Sequence, residues 1–165
     1  MIELLIVIAI LAILTAAVVV VLNPAQLLAQ ARDAQRLSDA SSVVSAITLW
    51  LTTADSPSMT ATQTKMTAGT STHFQTPATA TISSVVVTGT GWVPVNLTQT
   101  SGGSPLAVLP TDPTNSTTYF YSYCQTATTT FEVDAVMEST KYTNKATLDG
   151  GSTGVFYEAG SNLAC

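Results

Sequence analysis

The sequence predicts an α+β protein in which a long N-terminal α-helix packs on a small antiparallel β-sheet head. Three observations support this class: the chain opens on an apolar run, continues with apolar residues at helical spacing, and then shows extended runs of period two. The expected helix covers residues 1–54, with an apolar part at 1–24 and an amphipathic part at 25–54. The expected head covers residues 55–165 and is large enough for one modest core.

The stretch Ile2–Leu22 is apolar except for Glu3 and Thr15. As a helix, Leu4–Leu22 would be about 30 Å long, close to the thickness of the hydrocarbon core of a bilayer. Because no polar stripe runs along the helix, apolar material has to surround it, either lipid or identical helices of neighbouring copies. The stretch also lacks the basic n-region and the cleavage site of an ordinary secretory signal peptide.

Glu3 stands at the front edge of this apolar stretch. A carboxylate that enters hydrocarbon costs roughly 3 kcal/mol on insertion scales, and such residues usually have a partner. Two interpretations remain open from the residues alone. Glu3 either lies at the interface and meets water, or it pairs with a cation of another copy, such as an N-terminal amine.

Asn23 and Pro24 follow the apolar stretch and are the expected site of a helix break. Proline has no N–H group and ends or kinks a helix, and Asn-Pro can equally start a new helix, with Asn as N-cap and Pro at N1. The four valines Val18–Val21 are β-branched and only fair helix formers. We therefore expect a locally stretched backbone around Val18–Asn23.

Between Ala25 and Leu51, apolar residues recur every three to four positions, as on one face of a helix. This face comprises Leu27, Ala31, Ala34, Leu37, Ala40, Val44, Ile47 and Leu51, and is widened by Leu28, Val43 and Trp50. Its first half is mostly alanine and its second half is bulkier. The second half should therefore cover the core of the head.

The dense group of charges in this segment consists of Arg32, Asp33, Arg36 and Asp39. Arg36 and Asp39 are three positions apart and can pair on a helix surface. We interpret the group as a solvated helix face. The alternative is that it pairs with neighbouring copies.

The head begins where Asp55-Ser56-Pro57 ends the helix. Residues 56–81 are expected to form a Thr- and Ser-rich surface loop that contains one short strand or turn and the single histidine, His73. Extended segments are expected at Ile82–Gly89, Trp92–Leu97, Tyr119–Cys124, Phe131–Glu138 and Val155–Glu158. The segments Tyr119–Cys124 and Phe131–Glu138 form the clearest pair, joined by a hairpin loop at 125–130. Their alternation predicts half-buried strands, each with one apolar face.

No catalytic constellation is visible: the chain has one histidine, no nucleophile beside a base and no phosphate-binding glycine motif. We therefore expect no enzyme, no cofactor and no metal. Asp112, Asp149 and Glu158 lie in Gly- and Pro-rich surroundings that can bind calcium, but without EF-hand spacing they are interpreted as solvated turn carboxylates. With a net charge of −5 and no basic stripe, direct nucleic-acid binding is not expected.

The two cysteines, Cys124 and Cys165, are either free thiols or a disulfide that tethers the C-terminal tail and forms outside the cytoplasm. Asn96-Leu97-Thr98 and Asn115-Ser116-Thr117 match the N-glycosylation pattern, which makes Asn96 and Asn115 candidate acceptors. Such tripeptides arise by chance in a Thr-rich chain, and the Ser and Thr hydroxyls are equally plausible acceptors of O-linked glycans.

The N-terminal run IELLIVIAILAIL (Ile2–Leu14) resembles the N terminus of type IV pilins and type II secretion pseudopilins. Mature members of that family begin with Phe-Thr-Leu-Ile-Glu, and Met1-Ile2-Glu3 aligns with the last three of these residues. The following NPAQLLAQARDAQRLSD (Asn23–Asp39) is similar to a subgroup of bacterial pilins. The family often has Gly where Ala12 stands, and its helix-breaking Pro falls about one turn before Pro24. The resemblance is specific over residues 1–40 and covers the head only in outline.

The resemblance implies the type IV pilin fold. It implies that a basic leader ending in Gly, and two mature residues, precede Met1. It also implies that Glu3 neutralises the methylated N-terminal amine of an adjacent subunit, and that Cys124 and Cys165 form a C-terminal disulfide.

The function implied by the resemblance is that of a structural major pilin, a homopolymer in an extracellular pilus. The unassembled subunit would wait in the cytoplasmic membrane and meet a prepilin peptidase and the pilus assembly machinery. The alternative within the family is a type II secretion pseudopilin in a short periplasmic pseudopilus. A rival from another class is a single-span anchored binding domain that never polymerises, against which Glu3 argues.

Overall fold

The computed structural model describes residues 1–57, 59, 64–67, 84–127 and 129–164. Its helices are α1 (Ile2–Leu22), α2 (Pro24–Thr53) and the short α3 (Lys145–Leu148), with one 3₁₀ turn at Leu97–Gln99. Its strands are β1 (Thr64–Met66), β2 (Tyr121–Ala127), β3 (Thr130–Val136) and β4 (Phe156–Gly160). The strands form one antiparallel sheet in the order β1-β2-β3-β4. The protein is therefore α+β, with a long N-terminal helix and a small antiparallel sheet.

The long N-terminal helix is interrupted at a single residue, Asn23. Its φ of 40° and ψ of 72° lie in the left-handed region, which Asn tolerates better than most residues. The Asn23 side chain accepts a hydrogen bond from the Gln26 N–H, and Pro24 occupies the first turn of α2. Because α1 remains helical through Leu22, the irregular backbone is confined to Asn23 and is narrower than the expected stretch around Val18–Asn23.

The C-terminal half of α2 lies on the core of the head. The buried residues of this helix are Ala29, Asp33, Arg36, Ala40, Val43, Ala46, Ile47 and Trp50. Apart from the adjacent Ala46 and Ile47, they recur every three or four positions, so they define one stripe of the helix. In the first half of this helix, for which no contact with the head was predicted, Leu27 and Leu28 are 51% and 61% exposed. Charged side chains occupy the inward stripe there.

The core joins this stripe to one face of the sheet and to the segment before it. Buried apolar residues of the head in this cluster are Met59, Trp92, Val93, Val95, Leu97, Leu109, Tyr121, Tyr123, Phe131, Val133, Ala135 and Met137. Tyr123 and Phe131 stack with ring centroids 6.5 Å apart. The Trp92 Nε1–H donates to the Pro110 carbonyl at 3.0 Å, so its polar atom is satisfied inside the core.

The two strands expected before β2 are not formed in the described residues. Residues 82 and 83 lie outside those residues, and in 84–97 only an isolated bridge joins Thr88 to Asn96. The consecutive side chains of Trp92 and Val93 are both buried. This segment makes single backbone hydrogen bonds, such as the one from the Leu109 N–H to the Val85 carbonyl, and not the continuous series of a paired strand.

The central strand β3 is buried on both faces, contrary to the prediction of a half-buried strand. Residues 131–135 are all buried, including Glu132 and Asp134, which are both 0% exposed. The pairing register places Asp134 opposite both Ser122 on β2 and Glu158 on β4. The strands also extend further towards the hairpin than expected, to Ala127 and from Thr130.

Candidate functional site

The helix α1 is uncovered. Against the described part of the chain none of its residues is buried, and its Ile, Leu and Val side chains are between 53% and 81% exposed. The most apolar window of 18 residues has a mean hydropathy of 3.4, so the helix is long and apolar enough to cross a membrane. A contiguous apolar surface of this size marks an interaction with lipid or with another protein.

The polar groups of α1 are arranged for an apolar environment. The Thr15 hydroxyl donates to the Leu11 carbonyl at 2.8 Å, so it satisfies itself within the helix. Glu3 lies in the first turn, where the positive end of the helix dipole favours a carboxylate. No hydrogen bond or ion pair joins Glu3 to another residue that the structure describes, which leaves its carboxylate available to an external partner.

Within α2, a buried arginine, Arg36, binds the helix to the head. Arg36 is fully buried and donates through Nε and Nη2 to the two carboxylate oxygens of Asp112, at 2.6 and 3.0 Å. Its Nη1 donates to Asp33 at 2.8 Å, and its guanidinium lies 4.9 Å from the centroid of the Tyr119 ring. The bidentate geometry is the strongest form of such a pair, and both carboxylates raise the pKa of Arg36 against the effect of burial.

Asp33 binds the chain where it leaves β3. Its carboxylate accepts the backbone N–H groups of Glu138 and Ser139 at 2.9 and 2.7 Å, and the Ser139 hydroxyl at 2.6 Å. Burial alone would raise the pKa of Asp33, but these donors and Arg36 outweigh it and lower the pKa. Asp33 therefore stays ionised although it is fully buried.

Two further side chains of α2 complete the attachment. Arg32 donates through Nε to Glu138 at 2.8 Å and through Nη2 to its other oxygen, and the hydrogen bond from Arg32 lowers the pKa of Glu138. Asp39 accepts the Tyr121 hydroxyl at 2.8 Å. We call the set Arg32, Asp33, Arg36, Asp112 and Glu138 the charged clasp.

The charged clasp corrects the interpretation of the charges on α2. Asp33 and Arg36 lie neither on a solvated face nor against another copy, because both are 0% exposed and pair within the chain. Arg36 also contacts Asp33 and Asp112, not Asp39 as expected from spacing. The clasp joins α2 to two loops of the head, so the direction of α2 relative to the head is fixed by ionic hydrogen bonds.

The expected turn carboxylates are also mostly buried. Asp112 is 4% exposed within the clasp, and Glu158 is 2% exposed, so neither is a solvated turn carboxylate. Glu158 accepts the Thr153 N–H and hydroxyl, each at 3.0 Å, and its own N–H donates to Asp149 at 2.8 Å. The carboxylate thereby closes the loop before β4.

On β3, Asp134 lies beside two other buried acidic residues, Glu132 and Glu158. Burial first, and then the neighbouring Glu132 carboxyl, raises the pKa of Asp134 well above its ordinary value. The Ser122 hydroxyl donates to the Asp134 carboxyl group at 3.2 Å. Among the described residues, no group of three or more His, Cys, Asp or Glu side chains is arranged to hold a metal ion. His73 lies outside them.

The remaining candidate residues are distributed over the head. Cys124 is buried on β2 and takes part in a disulfide. Its expected partner, Cys165, lies outside the described residues, so the pairing stays a prediction. Asn96 caps the 3₁₀ turn, and Asn115 lies exposed in a loop with a φ of 44°.

The chain matches no family model, no curated protein and no solved structure. The fold and the candidate site therefore define its class on their own. It is an α+β protein in which a long apolar N-terminal helix, uncovered by the described part of the chain, is attached to a small sheet-containing head through α2.

Proposed function

We propose that this protein is a structural subunit of the type IV pilin kind, which polymerises through α1 into an extracellular filament. The observation that supports this function is α1 itself, a helix of 21 residues with no polar stripe, no buried residue among those described, and a carboxylate at its front edge. The long helix and the small antiparallel sheet are compatible with a pilin-like architecture.

Before assembly, α1 would lie in the cytoplasmic membrane, where lipid covers its apolar surface. A prepilin peptidase and an assembly machinery would process and extract the subunit, and α1 would then pack among copies of itself. This exchange replaces one apolar environment by another, so its net hydrophobic gain is small. Close packing at Ala9, Ala12 and Ala16 and pairing of Glu3 with a cation of a neighbouring copy would therefore set the register.

The charged clasp serves this function by making α2 and the head one unit. A filament places each head at a fixed angle around the bundle of helices, and that angle is transmitted through α2. Asp33 and Arg36 hold α2 against two loops of the head. The head therefore follows any rotation of α2, while Asn23 separates α1 from this unit.

The test is Glu3→Ala in the native host, with the complete precursor gene. We expect the yield of sheared surface filaments to fall at least about tenfold, because a lost contact of about 1.4 kcal/mol per subunit already changes an equilibrium tenfold. The head should remain folded, and the subunit should accumulate in the membrane. The matched control is Asp55→Ala, which removes an exposed carboxylate at the end of α2.

Electron microscopy of the same preparations separates the rival functions. Normal filaments from the Glu3→Ala strain would contradict the pairing role of Glu3. Short periplasmic filaments in the unmodified strain would indicate the pseudopilin alternative. Subunits that crosslink only as monomers on native cells would contradict polymerisation and favour an anchored binding domain.

A further inference from the structure

The two glycosylation tripeptides have different structural settings. In the first, the Asn96 side-chain oxygen accepts the Thr98 N–H at 3.2 Å and the Thr98 hydroxyl at 2.6 Å. The residue between them, Leu97, is 0% exposed and belongs to the core. Asn96 and Thr98 are thus engaged with each other on a 3₁₀ turn in which Leu97 is buried, although Thr98 itself is exposed.

This setting prevents transfer of a glycan to the folded head. A transferase has to bind the acceptor amide and the hydroxyl two residues later in its own site, and here both are engaged with each other. Drawing the tripeptide into such a site would break both contacts and pull Leu97, the buried residue between them, away from the core. Exposing a buried leucine alone costs about 1.5–3 kcal/mol.

The second tripeptide is presented to solvent. Asn115 and Thr117 are both exposed, and Asn115 adopts a φ of 44°, which Asn accommodates better than most residues. Within the described part of the chain, no hydrogen bond engages the Asn115 amide group or the Thr117 hydroxyl.

The charged clasp holds the backbone that carries this tripeptide. The Asp112 carboxylate, fixed by Arg36, accepts the N–H groups of Thr114 and Asn115 at 2.8 and 3.1 Å. The Ser116 hydroxyl oxygen then accepts the Tyr119 N–H at 3.1 Å. The loop is therefore anchored on both sides of an outward-facing acceptor.

We propose that Asn115, and not Asn96, is a site of N-linked glycosylation. The co-substrate is an oligosaccharide linked to a lipid pyrophosphate. The Asn115 Nδ2 forms a bond to the anomeric carbon of the first sugar while the bond from that carbon to the phosphate oxygen breaks. The lipid pyrophosphate leaves, and one amide proton passes to a base of the transferase. The inference rests on the proposed function because this transfer takes place outside the cytoplasm.

A glycan here would change the character of an uncharged surface. The exposed neighbours Pro113, Thr114, Thr117 and Thr118 carry no charge, and only 9% of the whole chain is charged. Like charges therefore contribute little to keeping copies of the head apart. A hydrated oligosaccharide at Asn115 would cover this loop and separate neighbouring heads sterically.

The test is mass spectrometry of the protein from its native host, isolated from whole envelopes so that monomers and filaments are both included. We expect one glycan mass on the peptide that contains Asn115 and none on the peptide that contains Asn96. Thr117→Ala should remove that mass completely, because it destroys the tripeptide and leaves Asn115 in place. Thr117→Ser keeps the hydroxyl and should retain the glycan.

Three results would overturn the proposal: an unmodified Asn115 in the native protein, a glycan on Asn96, or added mass only on Ser and Thr hydroxyls. Thr117 is exposed, so neither variant should impair folding, and circular dichroism of the isolated protein checks this. Filament formation is scored separately. A glycan on Asn115 in a native strain that forms no filaments would support this inference while contradicting the proposed function.

Discussion

Arg36 shows how much a single side chain can contribute to the attachment of the long helix. It carries a charge at 0% exposure, and both Asp33 and Asp112 depend on it for neutralisation. Ion pairs at this depth contribute little relative to apolar residues, but breaking one by removing a partner leaves the other charge buried. Among the residues of the charged clasp, Arg36 is therefore the one whose substitution should destabilise the protein most.

We expect Arg36→Ala to lower the free energy of unfolding by about 3 kcal/mol or more, because two buried carboxylates lose their cation. Urea unfolding of the detergent-solubilised chain measures the change. Arg32→Ala is the matched control. Its side chain is 34% exposed and pairs with Glu138 at the rim, so it should cost less than about 1 kcal/mol. Equal losses for the two variants would contradict the clasp.

Asp134 gives the head a distinct dependence on pH. Its pKa in the folded protein is raised well above the ordinary value of 3.8 by burial and by Glu132. A group with a raised pKa contributes its full stability below its unfolded pKa and loses it as pH rises through the folded pKa. The cost of keeping Asp134 buried therefore grows as the pH rises above about 4.

We expect Asp134→Asn to remove this dependence, because the amide can keep the contact with Ser122 and has no proton to lose at neutral pH. The variant should exceed the unmodified protein in free energy of unfolding by about 1 kcal/mol or more near pH 8, and the difference should shrink towards pH 4. Urea titrations at both pH values measure it. Asp55→Asn, at an exposed position, should leave the pH dependence of the free energy of unfolding unchanged. The same pH dependence in all three proteins would contradict a raised pKa of Asp134.

Among the elements, α2 shows both the strength and the limit of sequence analysis. Its existence was predictable from the recurrence of apolar residues, and so was the burial of its bulky second half. The orientation of its first half was not. Asp33 and Arg36 occupy the same inward stripe as Ala29 and Ala40, but their partners lie 106 and 76 residues away in the chain.

The strands of the sheet were likewise predictable only in part. The pairing of β2 with β3 was predictable because both runs alternate and lie close in sequence. The burial of Glu132 and Asp134 was not, because alternation predicts which residues share a face and not whether a loop covers that face. The segment 84–97 was mistaken for strands because β-branched residues also suit an irregular buried chain, as Val93 and Val95 show.

For the whole molecule, the apolar helix α1 contributes no residue to the core that the structure describes. No described contact buries a residue of α1. In contrast, α2 provides three residues of the charged clasp and the buried stripe that covers the core. The exposure of α1 was predictable from composition, since a helix that is apolar on every side cannot be covered by a head of this size. The loops that the clasp joins could not be identified without the structure.

We therefore expect removal of residues 1–22 to yield a monomer that dissolves without detergent and keeps its free energy of unfolding within about 0.5 kcal/mol. This truncation retains Asn23, the cap of α2. Removal of residues 1–36 is the contrasting variant, since it takes away Arg32, Asp33 and Arg36 and should destabilise the head strongly. Size-exclusion chromatography and urea unfolding measure both. An unfolded first truncation would show that α1 supports the head.

The uncovered surface of α1 also restricts where such a subunit can travel. Burying each large aliphatic side chain is worth about 1.5–3 kcal/mol, so a chain with 15 of them exposed on one helix has a vanishing concentration in the surrounding liquid. In the proposed filament, a subunit can then join or depart only at the end that touches the bilayer. A fibre severed in mid-length could not regrow at its free tip, and its detached piece would persist without exchanging material.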